Sequence, residues 1–246
     1  DSVTNFNRAW YVCSSLTSFP ALDLSSGTIF STAWRNCTSL TTFPVVTFST
    51  DASDDINFTT AWQSCTGLTS FPAVNLSRGT NFSQAWRGCT SLTTMPAIPL
   101  TAGTNFYYTW QGCTSMTSFL ATGLDSGTSF GSAWYTCTAL TSFPALDLSA
   151  ATSFSLAWSV CTSMVSFGAV NMNAGSLFNS AWRYNAAMTT FPAGVFDDWN
   201  PATITTTCFG EAWDGCAALT EQSVQNILLS ISASGQWATS TGTSSG

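Results

Sequence analysis

The sequence predicts an α/β repeat solenoid, with short parallel strands on one face, short helices on the other, and a C-terminal capping helix. Three observations carry this reading: a unit that recurs along the chain, an apolar spacing that changes character within it, and a last copy that departs from the pattern. The unit reads FSQAWRGCTSLTTMP at residues 82–96 and FGSAWYTCTALTSFP from Phe130. Its tryptophans are Trp10, Trp34, Trp62, Trp86, Trp110, Trp134, Trp158, Trp182 and Trp213, spaced 24, 28, 24, 24, 24, 24, 24 and 31 residues apart. Nine copies at a near-fixed period define a repeat protein, in which each unit buries its apolar face only against its neighbours.

Within one copy, Phe82, Ala85, Trp86 and Cys89 stand at i, i+3, i+4 and i+7, the spacing of one face of a short helix. From Leu92 onward, Met95, Ile98 and Leu100 alternate with Thr and Pro, which reads as a short strand and a turn. The turn glycine recurs at Gly27, Gly79, Gly103, Gly127 and Gly175, where a positive φ would cost little. Pro20, Pro44, Pro72, Pro96, Pro144 and Pro192 form one column, broken by Leu120 and Gly168. Proline cannot donate to a ladder, so strands of three or four residues are expected to end or restart there. Neither a two-turn helix nor so short a strand is stable alone.

The repeats are expected over 1–219, a cap helix over 220–237 and a flexible tail over 238–246. The cap helix has Thr220 as N-cap and Val224, Ile227, Leu228 and Ile231 as its apolar stripe. Insertions at 49–56 and 196–202 are expected to form the distinctive surface of one edge.

Phe82, Trp86, Cys89, Leu92, Trp110, Cys113, Trp134 and Cys137 are read as structural core. A buried indole removes 150–250 Å² from water, about 4–6 kcal/mol as an upper bound. The cysteine column, Cys13 to Cys216, is read as free buried thiols, because packed helices hold neighbouring copies too far apart for disulfides. Cys208 lies outside the column.

Composition excludes several classes of function. The chain has 246 residues, Lys+Arg 5 against Asp+Glu 12, a net charge of −7 and no His. All five cations are Arg, at 8, 35, 78, 87 and 183, too few and too scattered for nucleic acid or an anionic membrane surface. No apolar run approaches the roughly 20 residues that cross a bilayer, so membrane insertion is not expected. The absence of a leader before Asp1 is expected of a mature product or an excised fragment. Without His or Lys, the usual Ser–His–Asp triad, Cys–His pair and Schiff-base lysine have no residues to use. Asp51, Asp54, Asp55, Asp197, Asp198 and Asp214 are read as solvated loop acids; a carboxylate pair for glycoside hydrolysis or a weak calcium site at 51–55 is the alternative. No enzyme, cofactor or metal is expected.

The residues AWRGCTSLTTMP and AWYTCTALTSFP resemble the BspA-like leucine-rich repeats, with Trp where that family usually has Phe, over residues 3–219. The C-terminal CAALTEQSVQNILLSI is also similar to caps on repeat proteins of marine phages and bacteria. The resemblance implies a leucine-rich-repeat-like fold and surface display in bacterial adhesins or phage fibres, with a host-cell protein or polysaccharide as partner. It also implies an extracellular place on a virion or bacterial surface, and assigns no catalytic residues. On such a fold two hydroxyl columns would face outward. One is Thr17, Thr41, Thr69, Thr93, Thr117, Thr141 and Thr189, with Val165 in line; the other is Ser18, Thr42, Ser70, Thr94, Ser118, Ser142, Ser166 and Thr190. Three functions fit these rows: adhesion or receptor binding, a structural spacer or self-assembling subunit attached to a larger fibre, and ice binding.

Overall fold

A computed structural model describes residues 3–236; the expected tail, 238–246, lies outside them. The chain is a repeat protein of short parallel pairings with a 24-residue aromatic period, most of it outside regular elements, ending in one helix. Six strands of two or three residues pair in parallel: β1 (Ile56–Asn57) with β2 (Gly79–Asn81), β3 (Thr94–Met95) with β4 (Ser118–Phe119), and β5 (Ser142–Phe143) with β6 (Ser166–Phe167). Isolated parallel bridges extend the pairing from coil to coil, as in Asn81↔Asn105↔Ser129↔Ser153 and Asp147↔Asn171. The strands are shorter than expected, and the proline column shows why. Leu120, which breaks that column, donates its N–H to the Met95 carbonyl of the preceding coil at 2.9 Å; a proline has no N–H to give.

The short helices expected over Phe-x-x-Ala-Trp-x-x-Cys are absent: among the described residues the one α-helix is α1 (Glu221–Ala233). Each segment is instead two successive four-residue turns. Ala85 N–H donates to Phe82 O at 2.9 Å and Cys89 N–H to Trp86 O at 3.1 Å. The third residue of each turn has positive φ, 59° at Gln84 and 71° at Gly88, the requirement of a type II turn. The pattern repeats at Arg8 and Val12, Ser132 and Thr136, Leu156 and Val160.

Backbone accounting explains why turns displace helix. Phe82, Gln84, Trp86 and Gly88 donate to Asn105, Tyr107, Thr109 and Gln111 of the next coil at 2.7–2.9 Å, while Ala85, Arg87 and Cys89 bond within the turns. Ser83 N–H goes to Asn81 Oδ1 at 3.0 Å. Every N–H from 82 to 89 is thereby paired, half of them sideways to the neighbour. A helix would direct all its amides along its own axis and leave the neighbouring coil without a ladder.

The core consists of three aromatic columns. The Trp column stacks face to face, from 5.0 Å (Trp62–Trp86) to 6.0 Å (Trp86–Trp110) between centroids. A Phe column through Phe82 and Phe106 stacks beside it at 5.6 Å. A third, through Phe119, Phe143 and Phe167, meets the indoles edge-on, as in Trp134–Phe143 at 4.8 Å and 73°. Phe82, Trp86, Cys89, Leu92, Trp110, Cys113, Trp134 and Cys137 are all fully buried. The indole N–H groups from Trp34 to Trp182 have no hydrogen-bond partner.

The turn glycines serve another purpose than expected. Gly27, Gly79, Gly103, Gly127 and Gly175 have no positive φ; a Cβ on Gly103 would collide with the Phe106 ring three residues on. Close approach of ring to backbone, not a left-handed turn, requires them.

The cysteines are free, and all but Cys13 are buried. The helix spacing invoked against disulfides does not exist; the thiols are occupied instead. Cys89 Sγ donates to Trp62 O at 3.1 Å and Cys113 Sγ to Trp86 O at 3.2 Å, each a carbonyl of the preceding coil. Burial pushes the Cys113 and Cys161 thiols up to about 12. Asn185 interrupts the column and accepts the Cys161 N–H through Oδ1 at 2.8 Å. Cys208, just ahead of Phe209, takes the station that Asn81 and Asn105 hold ahead of their own Phe, and its carbonyl accepts the Phe178 N–H at 2.7 Å.

The cap is turned from its expected face. Thr220 is the N-cap, accepting the Ser223 N–H at 3.3 Å. The residues buried are Ser223, Ile227, Ser230 and Ile231, while Val224 and Leu228 stay 42% and 49% exposed. The edge of coil eight determines this: Phe191 N–H donates to Ser223 Oγ at 3.0 Å and Phe196 N–H to Ser230 Oγ at 2.7 Å. Unpaired amides at a sheet edge need acceptors, so two serines face inward in place of Val224 and Leu228. The insertion at 196–202 seats this cap, with Phe196 and Trp199 buried and Trp199 Nε1 bonded to Gly175 O at 2.6 Å, while Asp197, Asp198, Asn200 and Ala202 remain exposed at its edge.

Two predictions follow from this geometry. In a helix, Gly88→Ala would raise stability by about 1 kcal/mol. At a left-handed turn position it should instead lower stability by about 1–2 kcal/mol, measured by denaturant unfolding. Because burial raises the Cys89 and Cys113 thiols and shuts them from reagent while Cys13 is exposed, alkylation of the folded protein at pH 8 should label Cys13 quickly, and Cys89 and Cys113 only after denaturation; mass spectrometry of the labelled chain checks this.

Candidate recognition surfaces

The two hydroxyl columns lie on the surface, in register from coil to coil. Thr17, Thr41, Thr69, Thr93, Thr117 and Thr141 are exposed, and Thr189 is half-buried. Ser18, Thr42, Ser70, Ser142 and Thr190 are exposed; Thr94, Ser118 and Ser166 are half-buried. Parallel pairing aligns this second column through Thr94↔Ser118 and Ser142↔Ser166.

The columns differ in what their hydroxyls do. Thr69 Oγ1 donates to Thr41 O at 3.1 Å, Thr93 Oγ1 to Thr69 O at 3.1 Å, and Thr117 Oγ1 to Thr93 O at 3.2 Å. The same carbonyls already accept the N–H of those threonines. Thr69, Thr93 and Thr117, with Thr189 bonded to Val165 O at 3.3 Å, therefore clamp one coil to the next and have only lone pairs to offer a partner, whereas the hydroxyls of Thr17, Thr41 and Thr141 make no protein hydrogen bond. In the other column, Ser118 Oγ bonds Thr94 Oγ1 at 3.2 Å. The hydroxyls of Thr42, Ser70, Ser142 and Thr190 make no protein hydrogen bond and keep both donor and acceptor capacity.

The insertion at 49–56 binds itself. Asp51 Oδ1 accepts from Ser53 N at 2.9 Å and Ser53 Oγ at 2.8 Å, Asp54 accepts from Ser49 Oγ, and Arg78 donates to the Asp54 carbonyl at 3.1 Å. The Ser53 backbone and hydroxyl bonds hold Asp51 below the usual carboxylate range. Asp214 joins Glu211 in pairing with Arg183 at 2.9 and 3.0 Å. Among the described residues no group of three or more His, Cys, Asp or Glu is placed to hold a metal ion, and no helix is long and apolar enough to cross a membrane.

The turn segments carry a feature that sequence reasoning missed. Gly88 and Gly112 occupy the left-handed position before Cys in successive coils, where other copies carry Val12, Asn36, Thr136, Val160 or Tyr184. Two missing side chains leave a polar cleft of about 460 Å³, walled by Gln63, Arg87, Gln111 and Thr136. The signal was two adjacent glycines in one column, but a helical reading of the segment gave that column no meaning.

Removing a clamp should be measurable. Thr93→Val is expected to cost about 1 kcal/mol in a denaturant melt, the worth of one hydrogen bond. Ser142→Ala, in the unoccupied column, should stay within about 0.5 kcal/mol of wild type. No protein-family model matches the chain, and no curated protein or solved structure matches it either.

Proposed function

We propose that the chain is a non-enzymatic recognition module, displayed on a virion or bacterial surface with a leucine-rich-repeat-like architecture, that contacts a polysaccharide or protein of a host cell. The observation that carries this reading is the outer hydroxyl column, Ser18 to Thr190, repeated once per coil with most of its hydroxyls unspent on the fold. Neighbouring parallel strands repeat at about 4.8 Å, so one face offers a regular line of donors and acceptors with almost no charge. Many weak, equivalent contacts along a polymer add up through multivalency. The likeness of AWRGCTSLTTMP to BspA-like repeats supports the same reading.

A second reading, a self-assembling subunit, is favoured by exposed apolar side chains along the stack: Val45, Leu120 and Val165 are 66%, 53% and 47% exposed. The test is binding of the purified chain to bacterial cells and their isolated surface polysaccharides, beside a folded Thr94→Tyr, Thr117→Tyr, Ser118→Tyr variant. Binding that the variant loses is the expected result. Failure of both proteins to bind across the panel, with concentration-dependent association in the ultracentrifuge, would replace recognition by assembly.

A further inference from the structure

We propose that the cleft at Gly88 and Gly112 binds an acidic sugar residue, one carrying a carboxylate together with free hydroxyls. This rests on the recognition reading above and adds a specific pocket on the turn segments to the hydroxyl line of the strands.

The shape comes from the backbone. Gly88 and Gly112 have φ of 71° and 74°, and each has only ordinary or open space where a Cβ would stand. Ser64 precedes them and Thr136 follows them in the same column, so the gap is two coils long, open to solvent and bounded at each end by a small side chain. Its volume, about 460 Å³, falls within the range of small-ligand sites.

Polar groups in the wall are incompletely paired. Gln63 is only 7% exposed; its Nε2 donates to Gln84 Oε1 at 3.4 Å, and its Oε1 is buried with no partner. Gln111 Oε1 is likewise buried without one. Two buried acceptors lacking donors are a standing cost, which rotation of the two side chains toward the cleft, where a ligand's hydroxyl groups can donate, would relieve.

Charge selects among hydroxylated ligands. Arg87 is the one charged residue in the wall. Its Nη1 donates to Gln84 Oε1 at 2.9 Å, and its guanidinium lies 5.3 Å from the Tyr108 ring centre. Both contacts hold it in place; neither neutralises it. Ion pairs among the described residues involve Arg183 alone, so Arg87 has no carboxylate partner. A carboxylate suits the planar fork of a guanidinium. A neutral sugar would leave the arginine unpaired, and an inorganic phosphate dianion would bring a single hydroxyl donor for the two glutamine oxygens. A carboxylated sugar satisfies all three groups.

The experiment titrates the full chain with a trimer of a 1,4-linked hexuronic acid, followed by calorimetry and by amide resonances. The carboxyl-reduced trimer serves as the neutral control. Saturable binding is expected, weakened about tenfold or more by carboxyl reduction, by Arg87→Gln and by Gln111→Leu, while Thr94→Tyr, Thr117→Tyr, Ser118→Tyr leaves it unchanged. Melting curves of each variant confirm that the fold persists; if Gln111→Leu does not fold, Arg87→Gln alone decides. Equal affinity for the reduced trimer, or for Arg87→Gln, overturns the proposal. A chain that binds surface polysaccharide through its strand face but ignores the trimer keeps the recognition reading and removes this site. A chain that binds neither removes both.

Discussion

Everything in this molecule depends on stacking flat rings at a fixed interval along the chain. An indole or phenyl ring buries the most area when its neighbour presents a parallel face one coil away, and the Trp column does so from Trp10 to Trp213 without a gap. The coils must then be flat enough to bring ring over ring and must bond to each other edge to edge. Two consecutive turns with a left-handed third residue meet both demands; a helix meets neither. Among the described residues, fifteen other than glycine accept positive φ for this purpose, each at a cost near 1–2 kcal/mol. Stacking and the sideways ladder together outweigh that strain.

The same demand explains the small polar residues that fill the chain. A flat coil leaves carbonyls at its corners, and each finds a donor one coil away: thiols reach Trp carbonyls, and threonine hydroxyls reach Thr41, Thr69 and Thr93 carbonyls. Asn side chains pair the amide two residues on, as Asn57 does for Thr59 at 2.9 Å. These residues need no long reach and no charge, which accounts for a chain with 7% charged residues. The arginines are equally occupied: Arg8 lies 4.5 Å from the Tyr11 ring centre and Arg183 4.4 Å from that of Tyr184.

Much of this was legible in the sequence. The period, the nine copies, the buried Phe–Trp–Cys face and the Thr220 cap can be read from the residues and their spacing, and the hydroxyl columns are expected from the resemblance to leucine-rich repeats. The turn segment was not, because Phe82, Ala85, Trp86 and Cys89 have the same spacing in two four-residue turns as on a helix. Over eight residues a period of 4 and one of 3.6 cannot be told apart. Gly88 and Gly112 could have decided the matter, since glycine is poor inside a helix and favoured at positive φ. The face of α1 was misread for a different reason. Its orientation is set by the Phe191 and Phe196 amides of another coil, and hydrophobic spacing carries no record of a partner's unpaired N–H groups. The cleft was invisible until the turns were known, because Gln63, Arg87 and Gln111 come from three coils.

The most direct test of this account is the backbone φ of Gln84, Tyr108, Ser132 and Leu156, from three-bond HN–Hα couplings and intraresidue NOE intensities in solution. The account predicts left-handed values near 59°, 58°, 54° and 57°, recurring with the period of the repeat. Values near about −63° at these positions would restore the helices and contradict it.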